Sequence, residues 1–86
     1  MSFPFRYHLG EGAVEVKFGS WTVRRILYED IEGVREGYRL WNEHWTNIWP
    51  IRYLTLRRKS GFIRNFVINP SDRETFADEL RRRAGL

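Results

Sequence analysis

Two groups of side chains have types and spacing suited to binding a partner. The first is a set of tryptophans four residues apart, Trp41, Trp45 and Trp49, with His44 among them. A spacing of four fits one face of a helix and one face of a strand, so the pattern leaves the local structure open. Because tryptophan suits half-wet positions, the segment could dock a protein or sit at a membrane interface. Alternatively the rings pack over a sheet as core, which we expect for at least one of them.

The second group is a basic hairpin tip, formed by Arg57, Arg58, Lys59 and Arg64. Such a tip could attract an anionic lipid surface or phosphate. Charged side chains at a strand edge also block unwanted strand addition, and we favour this simpler interpretation. The candidate interaction surface therefore comprises the tryptophan segment with His44 and this basic tip.

No set of residues predicts a reaction centre. His8 and His44 stand without cysteines or a spaced acidic cluster, which makes a poor metal site. The sequence contains no phosphate-loop glycine pattern and no converging nucleophile, base and oxyanion donor. We therefore expect a protein that is not an enzyme and that needs no cofactor and no metal.

The size and charge of the chain narrow the remaining classes. With 86 residues we expect one domain, residues 1–86, whose core depends on the 16% of residues that are aromatic. The absence of cysteine and of a signal-like segment favours a cytoplasmic protein, with the inner face of the membrane as an alternative site. The net charge of +4 permits nucleic acid as a partner. Basic composition alone is a weak indicator, so we consider that partner unlikely.

The pattern of apolar residues predicts strands within residues 5–68. Val14, Val16 and Phe18 alternate with charged residues, as a strand with one buried face requires, and Gly19-Ser20 marks a hairpin turn. A bulge near Arg24-Arg25 would reconcile two phases of apolar residues in the next strand. Ile31 and Val34 could both point inward from one helical turn.

The last third of the chain predicts two paired strands and a closing helix. Leu54 and Leu56 share a strand face, and Phe66 and Ile68 would meet them from the partner strand. A helix over about residues 71–84 would begin with Ser71 as N-cap and Glu74 three residues later. Along this helix we expect Asp78–Arg82 and Glu79–Arg83 as ion pairs and Gly85 as the stop. The buried stripe comprises Phe76, Ala77, Leu80 and Ala84.

Three segments together resemble the bacterial pleckstrin-homology-like domains. They are Ile26-x-Tyr28-x-Asp30-Ile31-x-x-Val34, Tyr53-Leu54-Thr55-Leu56 followed by Ser60-Gly61, and Val67-x-Asn69-Pro70-Ser71-Asp72. The resemblance implies an α+β fold, a bent antiparallel sheet or partly open barrel of six to seven strands capped by one C-terminal helix. The first hairpin loop, Leu9-Gly10-Glu11-Gly12, has no basic residue, so the phosphoinositide site of some relatives is not implied.

These observations support a non-catalytic interaction module that binds a protein or associates with itself. A bent sheet leaves an edge that can accept a partner strand. Two alternatives stay open: peripheral binding to an anionic membrane through the tryptophan segment and the basic tip, and single-stranded nucleic-acid binding on a curved sheet.

Overall fold

Seven strands, a short 3₁₀ turn and one helix form the described part of the chain. The computed structural model describes residues 5–37, 42–47 and 52–86. Within these ranges the elements are β1 (Arg6–Leu9), β2 (Ala13–Phe18), β3 (Trp21–Leu27), the 3₁₀ turn (Tyr28–Asp30), β4 (Ile31–Glu36), β5 (Asn42–His44), β6 (Leu54–Arg58), β7 (Asn65–Ile68) and α1 (Arg73–Ala84). The predicted α+β architecture with six to seven strands and a C-terminal helix is confirmed.

The strands divide into two sheets. The first is an antiparallel meander in the order β1-β2-β3, and the second has the order β4-β6-β7-β5. All pairs in the second sheet are antiparallel except β5 with β7, which run parallel. No strand pair among the described residues joins the two sheets, so they do not close into a barrel.

The first hairpin bends where the sequence suggests. Phe18 pairs with Trp21 across the turn at Gly19-Ser20, and Gly19 has a φ of 61°, which glycine adopts without strain. The register shifts between Val16 and Lys17. The extra residue on β3 is Val23, one position before the bulge predicted at Arg24-Arg25.

Ile31 and Val34 are both buried, but the predicted helical turn is wrong for them. The 3₁₀ turn ends at Asp30, and Ile31 opens strand β4. A register shift between Ile31 and Gly33 inserts an extra residue opposite β6. Residues three apart thereby reach the same face of a strand, which a regular period of two would not allow.

The strand pair β6–β7 has the register read from the sequence. Leu54 lies opposite Ile68 and Leu56 lies opposite Phe66, and all four are at most 1% exposed. They form the centre of a core to which both sheets and the helix contribute. Its other buried members are Val14, Val16, Ile26, Tyr28, Ile31, Val34, Ala77 and Leu80.

The helix α1 closes this core, with Leu80 fully buried and Phe76 packed against it. The predicted N-cap is wrong by one residue: the Asp72 carboxylate, not Ser71, accepts a hydrogen bond from the backbone N–H of Thr75 at 3.4 Å. Gly85 ends the helix as predicted, with a φ of 76°.

One of the two predicted ion pairs on the helix surface is wrong. Glu79 accepts from Arg83 at 2.7 Å, as expected, but it also receives Arg82. Asp78 pairs instead with Arg81 at 3.4 Å. Spacings of three and four are both adjacent on a helix, so the sequence pattern alone could not separate them.

Candidate functional site

The described part of the tryptophan segment is a strand and a following loop. Trp41 and Trp49 lie outside the described residues. His44 is the exposed last residue of β5, and its Nδ1 lies 3.2 Å from Asn42 Oδ1. Trp45 is half-buried against the core, with its ring edge-on to Phe5 at 5.6 Å between centroids. Trp45 therefore contributes packing, as expected of at least one tryptophan.

A carboxylate that sequence reasoning did not single out connects the two sheets beside Trp45. Arg24 of β3 donates a bidentate pair of hydrogen bonds, of 2.6 and 2.8 Å, to the carboxylate of Glu43 on β5. Trp45 Nε1 donates to the same carboxylate at 2.8 Å. The hydrogen bonds from Arg24 lower the pKa of Glu43, and this effect outweighs burial, which raises it. The ionised Glu43 side chain therefore has a structural role, which is to hold β3 and β5 together.

Two of the four predicted basic-tip residues are neutralised by carboxylates. Arg57 lies 3.5 Å from Glu32, and Arg58 donates to Asp30 at 3.1 Å. Asp30 also accepts from the backbone and hydroxyl of Ser60. Burial raises the pKa of Asp30, but the hydrogen bonds from Ser60 and Arg58 outweigh it and lower the pKa overall. These contacts fold the turn between β6 and β7.

The other two basic-tip residues form no ion pair with the carboxylates that the structure describes. Arg64 donates only to the backbone carbonyl of Gly61, at 3.2 Å, and Lys59 has no carboxylate partner among the described residues. Between them in sequence, Phe62 is 84% exposed. The predicted basic tip is therefore reduced to two uncompensated charges beside one exposed aromatic ring.

A separate groove lies between strand β1 and the N-terminal half of α1. It has a volume of about 560 Å³. Its apolar wall consists of Phe5, Tyr7, Leu9 and Phe76, and the Tyr7 and Phe76 rings meet edge to face at 6.4 Å. The sequence did not indicate this groove, because its two sides are nearly the whole chain apart.

Two asparagines fix one end of the groove by replacing missing strand partners. The side-chain amide of Asn47 accepts from Phe5 N at 2.8 Å and donates to Phe5 O at 3.0 Å. The side-chain amide of Asn69 likewise accepts from Asn47 N at 2.9 Å and donates to Asn47 O at 2.8 Å. Both asparagines are buried, so these bonds satisfy groups that water could not reach.

The hydroxyl of Tyr7 joins this asparagine network. It lies 2.5 Å from the Trp45 carbonyl oxygen and 2.7 Å from Asn69 Oδ1. Burial raises the pKa of Tyr7 to about 12, although a backbone hydrogen bond from Asn69 lowers it. Tyr7 is therefore a neutral donor that holds the floor of the groove.

The outer edge of β1 is partly open among the described residues. Gly10 N donates to Ala13 O at 2.9 Å, so the alternation of an antiparallel ladder turns the backbone groups of Phe5, Tyr7 and Leu9 away from β2. Those of Phe5 are taken by Asn47, and Leu9 O accepts from Arg83 at 3.2 Å. The outward N–H and C=O of Tyr7 and the outward N–H of Leu9 have no partner in the described residues, and they border the groove.

The described ranges contain no group of three His, Cys, Asp or Glu residues placed to hold a metal ion. No helix in them is long and apolar enough to cross a bilayer. The features that remain suited to recognition are the β1 groove and the β6–β7 turn.

The comparisons with known proteins agree with this architecture. Residues 5–84 match the family model described as "Bacterial PH domain". No curated protein and no solved structure matches the chain. The match spans both sheets and the closing helix, and it confirms the family expected from the three sequence segments. The chain belongs to the family of bacterial PH domains.

Proposed function

We propose that this PH domain is a non-catalytic module that binds an extended protein segment at the edge of β1. PH domains are generally binding modules without catalytic activity, which the family match supports for this chain. The observation that carries the proposal is the Tyr7 backbone, which has no partner in the described ranges, beside an apolar groove of about 560 Å³. A strand added to an exposed edge gains backbone hydrogen bonds, and side-chain pockets give it specificity.

The open edge limits the bound segment to a short one. Because Asn47 takes both outward groups of Phe5 and Arg83 takes the carbonyl of Leu9, the incoming strand bonds mainly to Tyr7. The residue opposite Tyr7 has its side chain on the same face, which is the groove face. An apolar side chain there would lie against Phe76 and Leu9, so the segment carries an apolar residue at that position.

The test is a titration of the ¹⁵N-labelled protein with a capped, uncharged heptapeptide that has a central leucine and threonines elsewhere. We expect fast-exchange shifts at the Tyr7 and Phe76 amides, with a dissociation constant on the order of 1 mM, because only two backbone bonds and one side chain contribute.

Two variants of the helix serve as a matched pair for this titration. Thr75→Trp places a bulky ring in the groove and should abolish the shifts, whereas Asp78→Trp alters an exposed position of the same helix and should leave them. The proposal fails if the wild-type protein shows no shift at Tyr7 with peptide on the order of 5 mM.

Three expectations from the sequence stay predictions. They are self-association, a cytoplasmic location, and an interaction surface formed by Trp45, His44 and the basic tip. Nucleic acid is the weaker partner, because Arg24, Arg57 and Arg58 are already paired with carboxylates. A second copy docking at the β1 edge would appear in the same titration as concentration-dependent shifts at Tyr7 without peptide.

A second candidate function is peripheral binding to an anionic membrane through the β6–β7 turn. Phe62 is exposed there, and Lys59 and Arg64 have no carboxylate partner in the described ranges. Two basic residues contribute roughly 1 kcal/mol each near a charged surface, which gives only weak binding. Cosedimentation with phosphatidylserine vesicles at low salt should fall for Lys59→Ala with Arg64→Ala and stay unchanged for Arg57→Ala. No cosedimentation of the wild-type protein would exclude this function.

A further inference from the structure

We infer that the segment bound at β1 runs antiparallel to it and carries a basic residue two positions after the apolar residue opposite Tyr7. This inference rests on the proposed function and adds the direction and the charge of the partner. It comes from the carboxylate of Asp72, the one acidic group lining the groove that has no cationic partner among the described residues.

Three charged residues line the groove, and two of them are already engaged. Glu79 receives the guanidinium groups of Arg82 and Arg83. Arg6 donates to the carbonyl of Gly19 at 2.9 Å, which draws it toward the β2–β3 turn. Glu79 is thus compensated, whereas Arg6 has no carboxylate partner among the described residues and its guanidinium is held at the Gly19 carbonyl.

Asp72 is different because it has no ion pair within the described part of the chain. Its carboxylate is exposed and accepts only the Thr75 N–H at 3.4 Å, and no described cation lies within ion-pair distance. The groove therefore complements a cation at this point.

The hydrogen bonds show at which end of the groove this charge lies. Asn69, three residues before Asp72, binds Asn47, which in turn binds Phe5. At the other end of the helix, Arg83 binds Leu9 O. The helix thus runs alongside β1 in the same direction, with Asp72 at the Phe5 end and Arg83 at the Leu9 end.

The direction of the bound strand follows from the limited set of open groups. In an antiparallel pair the N–H and C=O of Tyr7 bond to one and the same residue, so a very short segment suffices, and antiparallel pairing is the more stable kind. Such a segment runs from the Leu9 end to the Phe5 end. Beyond Tyr7 the segment leaves the edge of β1, because Asn47 takes the backbone groups of Phe5, and the second residue after the apolar one then lies roughly 7 Å further along, on the Asp72 side of the groove.

Three capped threonine heptapeptides with a central leucine test the inference. One carries a lysine two positions C-terminal to the leucine, one carries it two positions N-terminal, and one is uncharged. We expect the C-terminal lysine peptide to bind about threefold more tightly than the uncharged one at low salt, the size of effect expected of one exposed ion pair. High salt should remove the difference.

The matched variants are Asp72→Asn and Asp78→Asn. Asparagine caps a helix as well as aspartate does, so Asp72→Asn removes the charge without removing the cap. It should abolish the preference for lysine, and Asp78→Asn should retain it.

The possible outcomes separate this inference from the proposed function. Equal binding of the three peptides, with shifts at Tyr7, overturns the charge inference and leaves the groove as the binding site. A preference for the N-terminal lysine overturns the antiparallel direction. An absence of shifts at Tyr7 with every peptide overturns both proposals.

Discussion

At the scale of single residues, the charge of Glu43 makes the contact between the sheets depend on pH. Arg24 lowers the pKa of Glu43 in the folded protein below its ordinary value of 4.5. As the pH falls, the unfolded chain takes up a proton first, so this contribution to stability is present above 4.5 and is lost as the pH falls through the folded value. The link between β3 and β5 therefore weakens in acid.

Replacing Glu43 by glutamine should remove this part of the acid sensitivity. Near neutral pH we expect Glu43→Gln to lower the free energy of unfolding by about 1–2 kcal/mol, because it weakens charge-assisted bonds to Arg24 and Trp45. Urea unfolding at a series of pH values should show a shallower decline in acid for the variant. The control is Glu32→Gln, whose exposed pair with Arg57 should matter little. An acid decline as steep in Glu43→Gln as in the wild-type protein would contradict the assignment.

At the scale of elements, the start of α1 depends on Asp72. Its side chain satisfies one of the N–H groups that a helix leaves open at its first turn. Asp72→Ala should lower the free energy of unfolding by about 1 kcal/mol, and Asp72→Asn should stay close to the wild type. Ser71→Ala should change it very little, because Ser71 is exposed and does not cap the helix. Thermal unfolding of the three variants checks the order, and a larger loss for Ser71→Ala would reverse the assignment.

Strands and helices that follow from a local pattern of apolar residues were predictable from the sequence. Contacts between segments that are distant in the chain were not. The alternation around Leu54 and Leu56 fixed the faces of β6, and the register with β7 followed from a short connection. The cap was misplaced by one residue because Ser71 and Asp72 both suit the position and only the backbone geometry selects between them. Asn47 and Asn69 are polar residues in loops, which sequence reasoning places in solvent.

The groove could not be predicted for the same reason. Its hydrogen bond between Tyr7 and Asn69 spans 62 residues, and no periodicity encodes such a contact. What the sequence did offer was Asn69 before Pro70, an extended position at a junction. The tryptophan segment is the more unusual pattern in the sequence. In its described part, however, Trp45 packs against the core and donates a hydrogen bond to Glu43.

At the scale of the whole molecule, the last turn of α1 fastens both sheets to the helix. Arg81 donates to Val34 O of the second sheet at 3.0 Å. Arg83 donates to Leu9 O and Gly10 O of the first sheet, at 3.2 and 3.0 Å. Because no strand pair among the described residues joins the sheets, these side chains hold the groove in shape together with the shared core, the Arg24–Glu43 pair and the asparagine network.

Arg83 and Arg82 form a natural pair for testing this role, because both contact Glu79 and only Arg83 reaches the first sheet. Methionine keeps much of the apolar stem of arginine and removes the guanidinium group. We expect Arg83→Met to lower the free energy of unfolding more than Arg82→Met does, because only Arg83 also gives up hydrogen bonds to two backbone carbonyls. Hydrogen exchange should also become faster in β1 and in the turn at Gly10 for Arg83→Met alone, since that strand loses its attachment to the helix. Equal losses in the two variants would mean that the shared core, without Arg83, suffices to keep β1 against α1.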